Sequence, residues 1–135
     1  MRFIEIVGNG CFNARSNART LDWFGNEFLA GQLIAKGLNV ASYGTVTGNN
    51  SIGFGIGITA SGTYSLAGGS GAMASGFNAI ALGSGVTASG SGAFAHGFGS
   101  QATNSAAFAT GSGVVASGSN AFSSGAMAVA SGNQS

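Results

Sequence analysis

The chain has no proline, one cysteine and very little charge. The lone Cys11 excludes an intrachain disulfide and leaves no cysteine set to hold a metal. Charged residues make up 5% of the 135, against about a quarter in an ordinary soluble chain. With a formal net charge of +1 there is no basic surface to attract nucleic acid or acidic lipid, and no nucleic-acid partner is expected. Long apolar runs are missing too. Gly, Ser, Thr or Asn interrupts every few positions, so no stretch approaches the length of a membrane span and no membrane insertion is expected. The opening MRFIEIVGNG is too short and too broken to read as a signal peptide.

The few charges are all at one end. Arg2, Glu5, Arg15, Arg19, Asp22, Glu27 and Lys36 are the complete set, and from Gly37 to Ser135 the only ionisable side chain of note is His96. This shift in composition divides the chain into a connector of residues 1–35 and a second domain of residues 36–135.

What the second domain has in abundance is glycine, serine and alanine, arranged with a period. Such periods are sought first, because a repeat dictates the architecture. Cut every 14 residues from Asn50, the chain gives NSIGFGIGITASGT, YSLAGGSGAMASGF, NAIALGSGVTASGS, GAFAHGFGSQATNS, AAFATGSGVVASGS and NAFSSGAMAVASGN. A weaker unit, KGLNVASYGTVTGN, precedes them. The third column is always large and apolar: Ile52, Leu66, Ile80, Phe94, Phe108 and Phe122. The sixth is always glycine: Gly55, Gly69, Gly83, Gly97, Gly111 and Gly125. The eleventh is always alanine: Ala60, Ala74, Ala88, Ala102, Ala116 and Ala130. Ser or Thr then Gly follows that alanine, except at Asn104, which reads as a left-handed turn residue in place of glycine.

Within a unit, small and large residues alternate with period two, which is a strand pattern. Two glycine turns per unit then leave two strands of about four or five residues each, and stacked coils rise about 4.8 Å apiece. The expected fold is all-β, a parallel solenoid or roll of 14-residue coils. Its interior is thin: Gly, Ala and Ser at columns two and four, with the alanines of column eleven, fit a narrow space. The sixth-column glycines and the eleventh-column alanines are expected to form the turns and interior. The large third column, with Phe54 and Leu82 of the fifth, then points outward as an apolar stripe that needs a partner.

The units resemble the head domain of trimeric autotransporter adhesins, whose repeats run close to N-S-V-A-I-G, a turn and A-x-G. NSIGFG at 50–55 and NAIALG at 78–83 carry the likeness, with ASG at 60, 74, 88, 116 and 130. The resemblance implies a left-handed parallel β-roll, three chains intertwined about one axis, and an axis lined by Ile52, Phe54, Leu66, Ile80, Leu82, Phe94, Phe108 and Phe122. The first 35 residues resemble a segment of phage and prophage tail fibres or appendages. Gly8-Asn9-Gly10, Arg15-Ser16-Asn17-Ala18 and Asp22-Trp23-Phe24-Gly25-Asn26 carry that likeness. Locally, Phe3–Val7, Arg19–Trp23 and Glu27–Ala35 read as strands, with turns at 8–10 and 24–26, so a small β-hairpin segment is expected before the roll. The signal peptide, coiled-coil stalk and membrane barrel of the adhesins are not among these residues, which favours the virion.

Sharper chemistry finds little support. G-x-G-x-x-A recurs at Gly55, Gly69, Gly83, Gly97 and Gly111, whereas a dinucleotide fingerprint occurs once, ahead of a helix, with an acid about 20 residues on. No nucleotide or other cofactor is expected. His96 has no Asp or Glu in its segment to orient it, as a nucleophilic triad would need, so no catalytic residue is assigned and no enzyme is expected. Asp22 and Glu27 flank a turn and read as solvated carboxylates. No metal site is assigned, although three His96 side chains near a trimer axis would be one place for an ion. The tenth column, Thr59, Met73, Thr87, Gln101, Val115 and Val129, is not the ordered threonine array of an ice binder. The expected function is a structural, homotrimeric segment of a phage tail fibre or appendage, with a host cell-surface glycan or protein as partner and the virion as location. The alternative is an adhesin head on a bacterial surface.

Overall fold

The computed structural model describes residues 19–21, 27–29 and 37–135, with side chains from Tyr43 onward. The chain divides into two compact units, Met1–Ile34 and Ala35–Ser135. In the first, β1 (Arg19–Leu21) pairs antiparallel with β2 (Glu27–Leu29), Thr20 opposite Phe28. The strand expected at Phe3–Val7 and the turns at 8–10 and 24–26 lie outside the described residues, as does the rest of the expected hairpin segment.

The second unit is a parallel β-solenoid of 14-residue coils, with no helix among the described residues. Each coil contributes one longer and one short strand. In chain order these are β3 (Gly37–Ser42) and β4 (Thr45–Val46), β5 (Ser51–Ile56) and β6 (Thr59–Ala60), β7 (Leu66–Ser70) and β8 (Met73–Ala74), and β9 (Ile80–Ser84) and β10 (Thr87–Ala88). There follow β11 (Phe94–Phe98) and β12 (Gln101–Ala102), β13 (Phe108–Ser112) and β14 (Val115–Ala116), and β15 (Phe122–Ala126) and β16 (Val129–Ala130). The long strands form one seven-stranded parallel sheet and the short strands another, each strand beside its counterpart one coil away. The register is 14 throughout: Phe94 lies between Ile80 and Phe108, and Ala88 beside Ala74 and Ala102. The second strand is shorter than the four or five residues expected. It is held to two because a left-handed residue at column eight precedes it and the Ser-Gly turn begins straight after the column-eleven alanine.

The turns are laddered as fully as the strands. Gly71 N donates to Ile56 O (2.8 Å), Gly85 N to Ser70 O (2.8 Å) and Gly99 N to Ser84 O (2.8 Å) at one corner. At the other, Tyr64 N donates to Asn49 O (2.8 Å) and Asn78 N to Thr63 O (3.0 Å). Backbone donors that a loop would otherwise leave to water are thus matched coil to coil.

The core between the sheets is narrow and built of small side chains. Columns two, four and eleven supply Ala79, Ala81, Ala88, Ala93, Ala95, Ala102, Ala107 and Ala109, each 0–1% exposed. The eleventh-column residues Ala60, Ala74, Ala88, Ala102 and Ala116 are fully buried, and Ala130 partly so. Column nine was not anticipated as core, yet it holds the largest fully buried side chains: Ile58, Val86 and Val114, with Ala72 and Ser100 between them. Large and small alternate from coil to coil so that successive layers interdigitate. Gly53 shows how little room is left, since a Cβ there would run into Val46 and Ile58.

Glycine does two different jobs. The sixth-column residues, Gly55, Gly69, Gly83, Gly97, Gly111 and Gly125, lie near the end of the long strands rather than in a turn, with φ between +111° and +139°. At all but Gly125, a Cβ would also strike the carbonyl of the next coil's glycine. In column thirteen, Gly62, Gly76 and Gly90 have ordinary φ and are required by close approach alone. Asn104 stands in that column without a left-handed backbone, contrary to the reading from sequence. Its side chain is instead a local clamp: Nδ2 donates to Ser117 O (3.2 Å), and Oδ1 accepts from Ser105 N (2.9 Å) and Ser119 Oγ (3.3 Å). The positions with φ between +52° and +67° are columns one and eight, including Asn50, Asn78 and Asn120 in the first and Gly57, Gly71 and Gly85 in the second.

Candidate interaction surface

Because successive strand residues point to opposite faces, fixing columns two and four inside forces three and five outside. Ile52, Leu66, Ile80, Phe94, Phe108 and Phe122 therefore form one ladder on the outer face of the long-strand sheet, in unbroken register. Ile52 and Phe122, at its ends, are 45% and 60% exposed, and the four between them are half-buried by one another. Three rings stack along it: Phe94 on Phe108 with centroids 4.7 Å apart, and Phe108 on Phe122 at 5.0 Å, nearly parallel in both cases.

The fifth column runs alongside and changes character along its length. Phe54 lies across the face of Gly68, where any Cβ would collide with the ring and come within 2.9 Å of Leu82. This explains why that coil carries glycine at column five and why Gly68 is buried on an outward face. Beyond Leu82 the column turns polar: His96, Thr110 and Ser124 follow in register. His96 is exposed, its Nδ1 3.4 Å from Thr110 Oγ1 and its ring 6.4 Å from that of Phe94. Among the described residues, no three His, Cys, Asp or Glu side chains converge to hold a metal.

A second exposed feature lies on a turn edge. Tyr64 and Phe77, at columns one and fourteen of the same coil, meet edge to face at 5.7 Å and 86°. They are 54% and 51% exposed. Their proximity is invisible in the sequence, where they stand thirteen residues apart and interrupt two columns that are otherwise small or polar. The surface carries no charged side chain from Gly37 onward. The surface this unit exposes therefore consists largely of apolar area, hydroxyls and amides. No protein-family model matches the chain, and none of the curated proteins compared with it matches either.

Proposed function

We propose that residues 36–135 form a structural fibre segment, a left-handed roll that assembles as an intertwined homotrimer in a phage tail fibre or appendage. Its role is geometric and non-enzymatic: it holds a defined length and presents a neutral, hydroxyl-rich surface to the host. One observation carries this reading, namely the continuous outward ladder from Ile52 to Phe122, with Phe54 and Leu82 beside it and nothing in the roll covering it. Contiguous apolar surface of this kind marks an association site. Two further copies of the same chain fit it because each repeats the same spacing, so aliphatic layers at Ile52, Leu66 and Ile80 and ring layers at Phe94, Phe108 and Phe122 would each meet their own kind. Full burial of a Phe or Leu is worth about 1.5–3 kcal/mol, and these half-covered side chains would gain a fraction of that each.

The likeness of the first 35 residues to tail-fibre segments supports the virion as its location, with a bacterial cell-surface adhesin head as the other reading. The test is the solution mass of the purified chain by light scattering. The expected mass is three chains, and Phe108→Asp should reduce it to one while leaving the far-ultraviolet dichroism of the roll in place. A wild-type chain that stays monomeric at tens of micromolar would sink the proposal.

A further inference from the structure

Tyr64 is in the wrong place for a residue that only supports the fold. Its φ is +59°, in a column that is left-handed in every coil and elsewhere holds the small or polar residues Asn50, Asn78, Gly92, Ala106, Asn120 and Gln134. Among the described residues Tyr43 is another aromatic side chain in that region, which is uncommon for bulky residues, and of the two it is Tyr64 that meets a second ring. The ring gains nothing from the core, since it is exposed. Phe77 is a second departure in the same coil, standing exposed in a column that reads Thr63 and Ser91 on either side. The two substitutions meet edge to face at 5.7 Å, so each ring steadies the other while ring faces remain open to solvent.

The rim of this pair is equally specific. One coil to either side, Tyr64 is flanked by Asn50 and Asn78, and Phe77 by Thr63 and Ser91, as the coil-to-coil bonds of this edge require. Neither Asn50 nor Asn78 has a side-chain hydrogen bond among the described residues. Asn104 and Asn133, in columns thirteen and fourteen of later coils, are by contrast tied up with Ser105, Ser117 and Ser119, while Asn120 in column one is as free as Asn50 and Asn78. The Tyr64 edge thus offers free amides and hydroxyls around two rings, across about 10 Å for two coil spacings.

We infer that the Tyr64–Phe77 edge binds a neutral carbohydrate chain. The apolar C–H face of a sugar ring covers an aromatic face, and its hydroxyls exchange hydrogen bonds with the amides of Asn50 and Asn78 and the hydroxyls of Thr63, Ser91 and Tyr64. The span suits a disaccharide. An extended peptide fits less well, because the backbone here is already paired: Tyr64 N to Asn49 O (2.8 Å), Asn78 N to Thr63 O (3.0 Å) and Gly92 N to Phe77 O (2.7 Å) leave no ladder to join. A charged ligand finds no counter-charge on the roll. This inference rests on the host-contact part of the proposed function and is independent of the trimer.

The test titrates the full chain with neutral hexasaccharides of glucose, N-acetylglucosamine, mannose and galactose, followed by saturation-transfer NMR and calorimetry. At least one is expected to bind. The double variant Tyr64→Asn with Phe77→Ser restores residues the repeat itself uses at those columns, so it should fold, and it should weaken binding about tenfold or more. Phe98→Ser, which removes an exposed ring from another corner, should leave binding within about twofold. Undiminished binding by the double variant overturns the site. No binding of any of the four at about 10 mM overturns the ligand class. If the chain then still adheres to host cells, the receptor is a protein and host contact stands; if it does not adhere, host contact fails as well.

Discussion

The two faces of one strand in this roll reverse the ordinary distribution of residues. Inside β11, Ala95 is completely buried; its neighbours Phe94 and His96 face outward. In most domains the largest apolar side chains fill the core and small ones lie anywhere. Here the sheets approach so closely that the interior accepts alanine and serine, with Ile or Val at alternate layers of column nine, and the phenylalanines are left outside. The difference teaches that burial within one chain is limited by geometry rather than by supply. The roll reaches native packing with small residues, and its large ones remain free to act on something else.

Neighbouring residues on opposite faces allow that contrast to be broken directly. Ala102 is buried and Gln101 beside it is exposed. Ala102→Leu should destabilise the roll by about 3 kcal/mol or more, at the upper end for overpacking, because the facing sheet cannot retreat without losing its ladder. Gln101→Leu should stay within about 0.5 kcal/mol. Urea denaturation followed by dichroism reads both, and equal costs would mean that the interior yields more than its packing implies.

A milder pair keeps residue type constant. Val114 is fully buried and Val115 half-buried on the outer face. Val114→Ala leaves a void between Ser100 and Ala128 and should cost about 2 kcal/mol. Val115→Ala should cost under about 1 kcal/mol by the same measurement.

The smallest effect concerns two serines in column two, where later coils have alanine. Ser51 Oγ donates to Gly48 O at 2.6 Å, whereas Ser65 Oγ is buried with no partner. Ser51→Ala should cost about 1 kcal/mol, the net worth of one hydrogen bond. Ser65→Ala should be neutral or stabilising by up to about 1 kcal/mol, since it removes an unsatisfied group. Opposite signs in thermal denaturation would sharpen the comparison, and equal losses would show that Ser65 finds a partner in solution.

Much of the roll was legible because the repeat samples each position many times. A column that is always alanine or always large reports its environment without any structure, and the 14-residue register, the parallel pairing and the inside-outside assignment of columns two to five follow from it. Column nine escaped because it alternates: Ile58, Ala72, Val86, Ser100 and Val114 look variable in sequence, but the variation is itself the packing. The glycine columns were legible in position and not in role, since sequence does not distinguish a left-handed backbone from a backbone pressed against its neighbour. Tyr64 and Phe77 were visible singly and not as a pair, because the turn that joins columns fourteen and one brings together residues from opposite ends of a coil.

The exact carriage of every turn hydrogen bond from one coil to the next has a consequence for how such a chain changes length. Insertion of a whole 14-residue unit adds one layer and leaves every column, ladder and ring stack aligned. Insertion of any other length within a strand shifts each later side chain out of its column and ends the stack at that point. The roll is therefore a ruler graduated in coils, and its length is heritable only in whole steps.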